Sequence, residues 1–168
     1  MTSKLAQLDS VIQDSLHEFL TYINTNSWLG REREAVSLFA FGFLVPKCRK
    51  NTVLFDPRQI AIECAIPQLP GPSRKKHVCK DLLIWPRPSM TCWDKNHNPV
   101  NIPLSILEWK FNARKPSSYD IAWLTDYSKK HRGFVGYVIL LRAKSTSGYS
   151  LHYDMIIAGT VSESREIA

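Results

Sequence analysis

The chain has 168 residues, 44% apolar and 22% charged, which predicts one folded domain with its own core and excludes a disordered composition. Lysine and arginine outnumber the acids 22 to 15, for a formal net charge of +7. That excess fits a polyanionic partner, because basic side chains displace the counterions condensed on nucleic acid. Cys48, Cys64, Cys79 and Cys92 are dispersed, with no C-x-x-C pair, so reduced core thiols are expected and neither a zinc cluster nor a disulfide framework.

The opening segment is polar and lacks the apolar centre of an export signal. No uncharged stretch approaches the roughly 20 residues that span a bilayer. A soluble intracellular protein, cytoplasmic or beside the chromosome, with no membrane partner is the expectation.

Leu5, Leu8, Ile12, Leu16, Phe19 and Ile23 recur at steps of three and four, predicting an amphipathic first helix. A second helix is expected over 31–44, stopping before Pro46. Its segment AVSLFAFGFL is apolar nearly all round and should be buried. Ile60, Ile62, Cys64 and Ile66 alternate with Ala61, Glu63 and Ala65, the period of a strand. The segment LPGPSRKK then reads as a loop. DLLIWP reads as a short central strand begun by Asp81 and ended by Pro86 and Pro88. A loop of some fifteen residues leads to IPLSILEWKFN, a third strand.

Ser117 is placed to cap a helix over 118–131, with Asp120 in a box-like position. Basic residues close that helix, and Gly133 suits the position just past it. FVGYVILL and YSLHYDMIIAG are two further strands joined by a turn at RAKSTSG. From about Thr160 the chain reads as a frayed tail. The predicted fold class is α/β, a central mixed sheet flanked by helices in α-βββ-α-β order. The expected division is an N-terminal helical extension (1–30), a core (31–158) and a tail (159–168) in a single domain.

Chemistry concentrates in the third strand. Residues two apart share a face, so Ile106, Glu108 and Lys110 lie on one side, with Leu107, Trp109 and Phe111 on the other. If the second strand is a neighbour, Asp81 and Glu108 converge. Two carboxylates supply the hard oxygens that Mg²⁺ or Mn²⁺ prefers, and an ammonium beside them can orient water or stabilise charge developing on phosphate. By itself E-x-K is also an ordinary surface pair worth less than about 1 kcal/mol. The order of the elements around it makes the stronger case.

KDLLIW, then SILEWKF, then SYDIAWLTDYSKKH resembles the PD-(D/E)XK nuclease superfamily over roughly 31–141, most of the chain. The resemblance implies a restriction-endonuclease-like core of a helix, three antiparallel strands, a helix and a further strand. It makes Asp81 the motif aspartate, Glu108 the second acid and Lys110 the motif lysine. It also implies an endonuclease that uses Mg²⁺, with Mn²⁺ able to substitute, and acts on DNA ahead of RNA. Lys80 stands where the name-giving proline would be. The alternative is a catalytically silent nuclease-like subunit that binds nucleic acid or assembles a larger complex. An accidental E-x-K in an unrelated basic protein is a third possibility. With little room for a separate recognition domain, a homodimer or larger complex is expected.

Members of the superfamily often add a glutamate from the helix before the sheet. Glu34 is favoured over Glu32 here, because Leu38 and Phe41 extend its face inward, although acids in a first turn also suit the helix dipole. Glu63 reads as a solvent-facing acid, a partner for a base, or an outer metal contact. Asp120 reads as a cap and Asp126 as a solvated charge. His152 and Asp154 share a face and read as the polar side of an outer strand.

For nucleic-acid binding, Arg74, Lys75 and Lys76 in the loop before Asp81 are the first candidates. Lys129, Lys130 and Arg132 are the second, and Lys47, Arg49 and Lys50 are less well placed. Trp85 and Trp123 read as core, and Trp93 as the exposed aromatic.

Overall fold

The apolar periodicities settle the layering of the molecule. The structure is a computed structural model and describes residues 3–71, 75–144 and 148–167. Helix α1 (Ser3–Thr25) buries Leu5, Leu8, Ile12, Leu16, Phe19 and Ile23 along one face. Helix α2 (Glu32–Phe39) continues into a π turn (Ala40–Leu44) and a 3₁₀ turn (Val45–Lys47). Pro46 thus lies inside the last turn, past the expected stop, where its missing N–H and fixed φ are tolerated. Six strands follow: β1 (Ile60–Pro67), β2 (His77–Ile84), β3 (Ser105–Phe111), β4 (Val135–Ala143), β5 (Tyr149–Ile157) and β6 (Thr160–Ile167), with helix α3 (Ser118–Lys130) between β3 and β4.

The strands form one sheet in the order β1-β2-β3-β4-β5-β6. Every neighbouring pair is antiparallel except β3–β4, which is parallel with α3 as its crossover. The protein is therefore α/β, with a six-stranded mixed sheet and three α-helices among the described residues. Among the described residues no helix is long and apolar enough to cross a membrane.

One core lies between the sheet and α1–α2, and the other between the sheet and α3. Strand β4 is buried from Val135 to Leu141, which explains its unbroken apolar run. A Cβ at Gly136 would stand 3.0 Å from Leu124 Cδ2, so glycine lets α3 close on the sheet. On the other face Phe19 meets Phe39 and Trp109 edge-on at 5.8 and 5.6 Å, fixing α1, α2 and β3 together. Asp9, buried on α1, accepts the Tyr137 hydroxyl at 2.5 Å.

Two expectations fail here. The supposed tail is β6, paired with β5 from Leu151–Ile167 to Ile157–Thr160. The turn that makes it is Ala158-Gly159, with φ of +51° and +85°, a two-residue hairpin loop whose hand matches the strand twist. Alternation in β1 also breaks. Ile60 and Ile62 pack with the α1–α2 core, whereas Cys64 and Ile66 pack with the α3 core. The break falls at Glu63, whose φ of +50° puts it in the left-handed region, a local strain of about 1 kcal/mol or more.

Candidate active site

The change of face in β1 is matched in β2, and it builds the site. Leu82 and Ile84 belong to the α1–α2 core, but Val78 packs toward α3, and so does Lys80, whose ammonium lies 4.1 Å from the centre of the Trp123 ring. Asp81 stands between these two halves, midway along β2 and not at its start as expected.

The β2–β3 pairing ends with Leu82 opposite Leu107, one step before Asp81 and Glu108 would face each other. Among the described residues β3 has no partner strand on its β2 side beyond that point. Its outward N–H groups are served by side chains: Trp109 N–H donates to Asp81 Oδ2 at 2.7 Å, and Phe111 N–H donates to Glu32 Oε2 at 3.0 Å. Carboxylates thus replace the missing ladder, as buried backbone donors require.

Glu108 is 4% exposed and Lys80 5%, so both charges are essentially out of water. The Lys80 ammonium is ion-paired with Glu108 Oε1. Trp123 roofs the ammonium, held in turn by its own Nε1–H bond to Gln68 Oε1 at 3.1 Å and by stacking on Tyr127. Removing one member of a pair this deep leaves an uncompensated charge, at a cost of about 3–5 kcal/mol. Burial pushes the Glu108 carboxyl up to about 7, with Lys80 opposing the shift and neighbouring Asp81 adding to it.

Lys110 is partly exposed. Its ammonium donates to the Trp109 carbonyl at 2.8 Å and pairs with Asp120 Oδ2 at 3.3 Å. Burial works against its charge, but Asp120, Asp81, Glu32 and Glu108 together hold its pKa above the usual lysine value. Four carboxylates and two ammoniums therefore act on one another within a chain whose overall charge is +7. Glu32, Glu63 and Asp81 line a cavity of about 410 Å³ on the α2 side.

The structure brings Asp81, Glu108 and Lys110 together as the sequence led one to expect. It corrects the choice on α2. Glu34 is exposed, and its carboxylate accepts the Arg31 N–H at 2.6 Å, capping its own helix. Glu32 is the residue that reaches β3. The signal was available at i, i+4 and i+7: Glu32 shares its face with buried Val36 and Phe39, while Phe41, taken to mark an inward face, is 65% exposed. Asp120 does more than cap, since it is the ion partner of Lys110. Ser117 supplies the cap, accepting the Asp120 N–H at 3.2 Å. Glu63 pairs with Arg33 at 2.9 Å.

The basic candidates separate. Lys75 and Lys76 are exposed at the outer end of the β1–β2 hairpin, and Arg74 lies outside the described residues. His77, next to them, is four positions from Asp81, about 13 Å along the strand. Trp93, in the loop after β2, packs edge-on against His77 at 5.0 Å, so the long loop returns beside this arm.

Lys129, Lys130 and Arg132 do not reach the site. Helix α3 carries them some 15 Å from Asp120, to the opposite end of the sheet, where Lys129 and Arg132 line a separate cavity with Ile157 and Ala158. Arg31, Arg33, Arg114 and Lys115 are exposed close to the site in the chain and were not singled out beforehand.

The donor set, carboxylate oxygens with an ammonium beside them, fits a hard divalent cation such as Mg²⁺ or Mn²⁺. Among the described residues no three acids, histidines or cysteines are gathered tightly enough to enclose one ion. No family model, curated protein or solved structure matches the chain.

Proposed function

We propose that the chain is a metal-dependent endonuclease of PD-(D/E)XK type that hydrolyses phosphodiester bonds of nucleic acid, DNA in preference to RNA. The observation that carries this reading is the opening of the β2–β3 ladder, which sets Asp81 and Glu108 side by side with Lys110 acting on both. The order α2, β1, β2, β3, α3, β4 around them supports it.

Asp81 and Glu108 would hold Mg²⁺ directly, and Glu32 would reach it through water, since Mg²⁺ keeps several of its waters. Bound there, the ion supplies charge neutralisation at the phosphate and a more acidic water. Lys110 remains protonated among its four acids, so its work is electrostatic: it orients the attacking water and stabilises negative charge on the phosphate oxygens. Asp120 holds that ammonium in place. Lys75 and Lys76 on the hairpin arm, with Arg31, Arg33, Arg114 and Lys115, give the polyanion its contacts.

The test is a cleavage panel of duplex, single-stranded and branched DNA plus RNA, with Mg²⁺, Mn²⁺ or chelator. The expected result is metal-dependent cutting by the wild type and none by folded Lys110→Ala protein. Wild-type-like cleavage by that variant would sink the assignment. The ion pair between Lys80 and Glu108 favours a second reading, in which an internal ammonium takes the cation's place and the chain is a silent nucleic-acid-binding subunit. Such a subunit keeps its affinity in chelator and never cuts.

A further inference from the structure

Each carboxylate facing the open seam has one oxygen already engaged by the protein. Asp81 gives Oδ2 to the Trp109 N–H, Glu32 gives Oε2 to the Phe111 N–H, and Glu108 gives Oε1 to the Lys80 ammonium, while Glu108 and Asp81 share a side-chain hydrogen bond whose proton a bound cation would displace. The first two engagements are with backbone and come with the fold. The third depends on one side chain, and that side chain is fixed on every side. Lys80 is buried, its ammonium is covered by the Trp123 ring, and Trp123 is held by Gln68 and Tyr127. The Lys80–Glu108 contact is therefore part of the packed interior, and Glu108 cannot swing to offer both oxygens without breaking it.

The number of oxygens a carboxylate can offer separates the common divalent cations. Mg²⁺, and Mn²⁺ in its place, take octahedral sites with single oxygens and waters. Ca²⁺ takes six to eight oxygens, with carboxylates often binding through both. We propose that Lys80 is a metal-specificity residue, which limits Glu108 to one ligand oxygen and so biases the centre toward Mg²⁺ and Mn²⁺ over Ca²⁺. The inference rests on the metal-centre reading above. It assigns a role to the position where the family motif has proline.

The measurement is the ratio of Ca²⁺ to Mn²⁺ dissociation constants on the full chain, by calorimetry and by Ca²⁺ competition against the Mn²⁺ electron-resonance signal. A ratio is the right quantity because both ions are divalent. Losing the Lys80 charge changes the attraction for each alike and cancels. In Lys80→Met, which keeps the length of the stem under Trp123, the ratio should fall about tenfold or more as Glu108 becomes free to bind through both oxygens. Lys80→Arg, which still donates to Oε1, should keep the wild-type ratio.

Affinities for the two ions that move together in Lys80→Met overturn the proposal and leave Lys80 a plain charge. If Lys80→Met does not fold, the coordination of the wild type decides: Glu108 bound to Mn²⁺ through one oxygen supports the proposal, and Glu108 bound through both overturns it. Wild-type protein that binds Mn²⁺ with the expected preference but cuts nothing overturns the nuclease reading alone. Protein that binds no divalent ion overturns both.

Discussion

Two seams of the same sheet gather acids and bases on the α3 side, and they use them differently. At β2–β3 the ladder stops after Leu82–Leu107, leaving Asp81, Glu108 and Lys110 around an opening. At β5–β6 the ladder runs on, and His152 sits opposite Glu166 and beside Asp154 and Ser164. There the imidazole meets Asp154 at 3.2 Å through Nε2 and Glu166 at 3.3 Å through Nδ1, with Ser164 Oγ 3.4 Å from Nε2. Every polar group in that set is answered by another, on a strand pair that stays in register from Leu151 to Met155 and shifts only beyond it. At β2–β3 the backbone and Lys80 engage one oxygen of each carboxylate, the buried Glu108 also meets Asp81 through a side-chain hydrogen bond, and Asp81 and Glu32 line an open cavity. Composition is similar in the two places. The gap in the ladder makes the difference, because it leaves Asp81 and Glu32 lining an open cavity where a strand partner would otherwise lie.

The sharpest way to break this comparison is Asp81→Asn. The amide oxygen can still accept the Trp109 N–H, so the fold should hold, while the ligand charge is lost. Several kcal/mol of metal-dependent stabilisation are at stake, about a thousandfold in kcat/KM. Lys110→Ala follows at about a hundred- to a thousandfold, the scale for removing a group aimed at developing charge. Both are read by single-turnover cleavage beside a thermal melt. Retained cleavage in Asp81→Asn would show that the seam is only a satisfied irregularity, like its counterpart at β5–β6.

The two glutamates of α2 give a finer test. Glu32→Gln should weaken metal affinity about ten- to a hundredfold, as for residues that act on a metal through its water shell. Glu34→Gln should leave metal affinity alone and cost at most about 1 kcal/mol of stability, the worth of a helix cap. The reverse ranking would restore Glu34 and undo the correction made by the structure.

These variants also show how far the sequence could be read. The alternation of ILEWKF put Glu108 and Lys110 on one face correctly, because β3 is regular to its end. Asp81 was recognised, but its placement was not. It depends on a change of face in β1 and β2, centred on a left-handed Glu63 that no local pattern announces. Lys80 was seen only as a departure from a motif. Its burial follows from that same change of face, which turns it under α3. Strand β6 was lost because Ala-Gly is a weaker turn signal than Asn-Gly or Asp-Gly. Regular elements were legible, and the irregularities that shape the site were not.

Acidity gives a smaller effect with a definite sign. The Glu108 carboxyl moves from an ordinary 4.5 to about 7 in the folded chain. Between these values the native state keeps a proton that the unfolded state has released, so this group's contribution to stability is full below about 4.5 and is lost as pH rises through about 7. Metal-free protein should therefore lose melting temperature over that window relative to Glu108→Gln. Saturating Mn²⁺ should reverse the trend, because the ion binds only the carboxylate. Melting curves from pH 4.5 to 8, with chelator and with Mn²⁺, check both parts.

The smallest effect belongs to the second seam and carries the comparison's other half. His152→Ala removes the one group that both Asp154 and Glu166 address, yet nothing there awaits a ligand. Glu166 is exposed and returns to water at little cost. Asp154 is 7% exposed, so its loss of a partner should cost about 1 kcal/mol, near the low end for an unsatisfied buried acceptor. Cleavage and metal affinity should stay at wild-type values, because two strand spacings, roughly 10 Å, separate β5 from β3. A fall in cleavage without a fall in melting temperature would mean that the two seams act on one substrate, and that satisfaction within the fold is a poor guide to which polar clusters do chemistry.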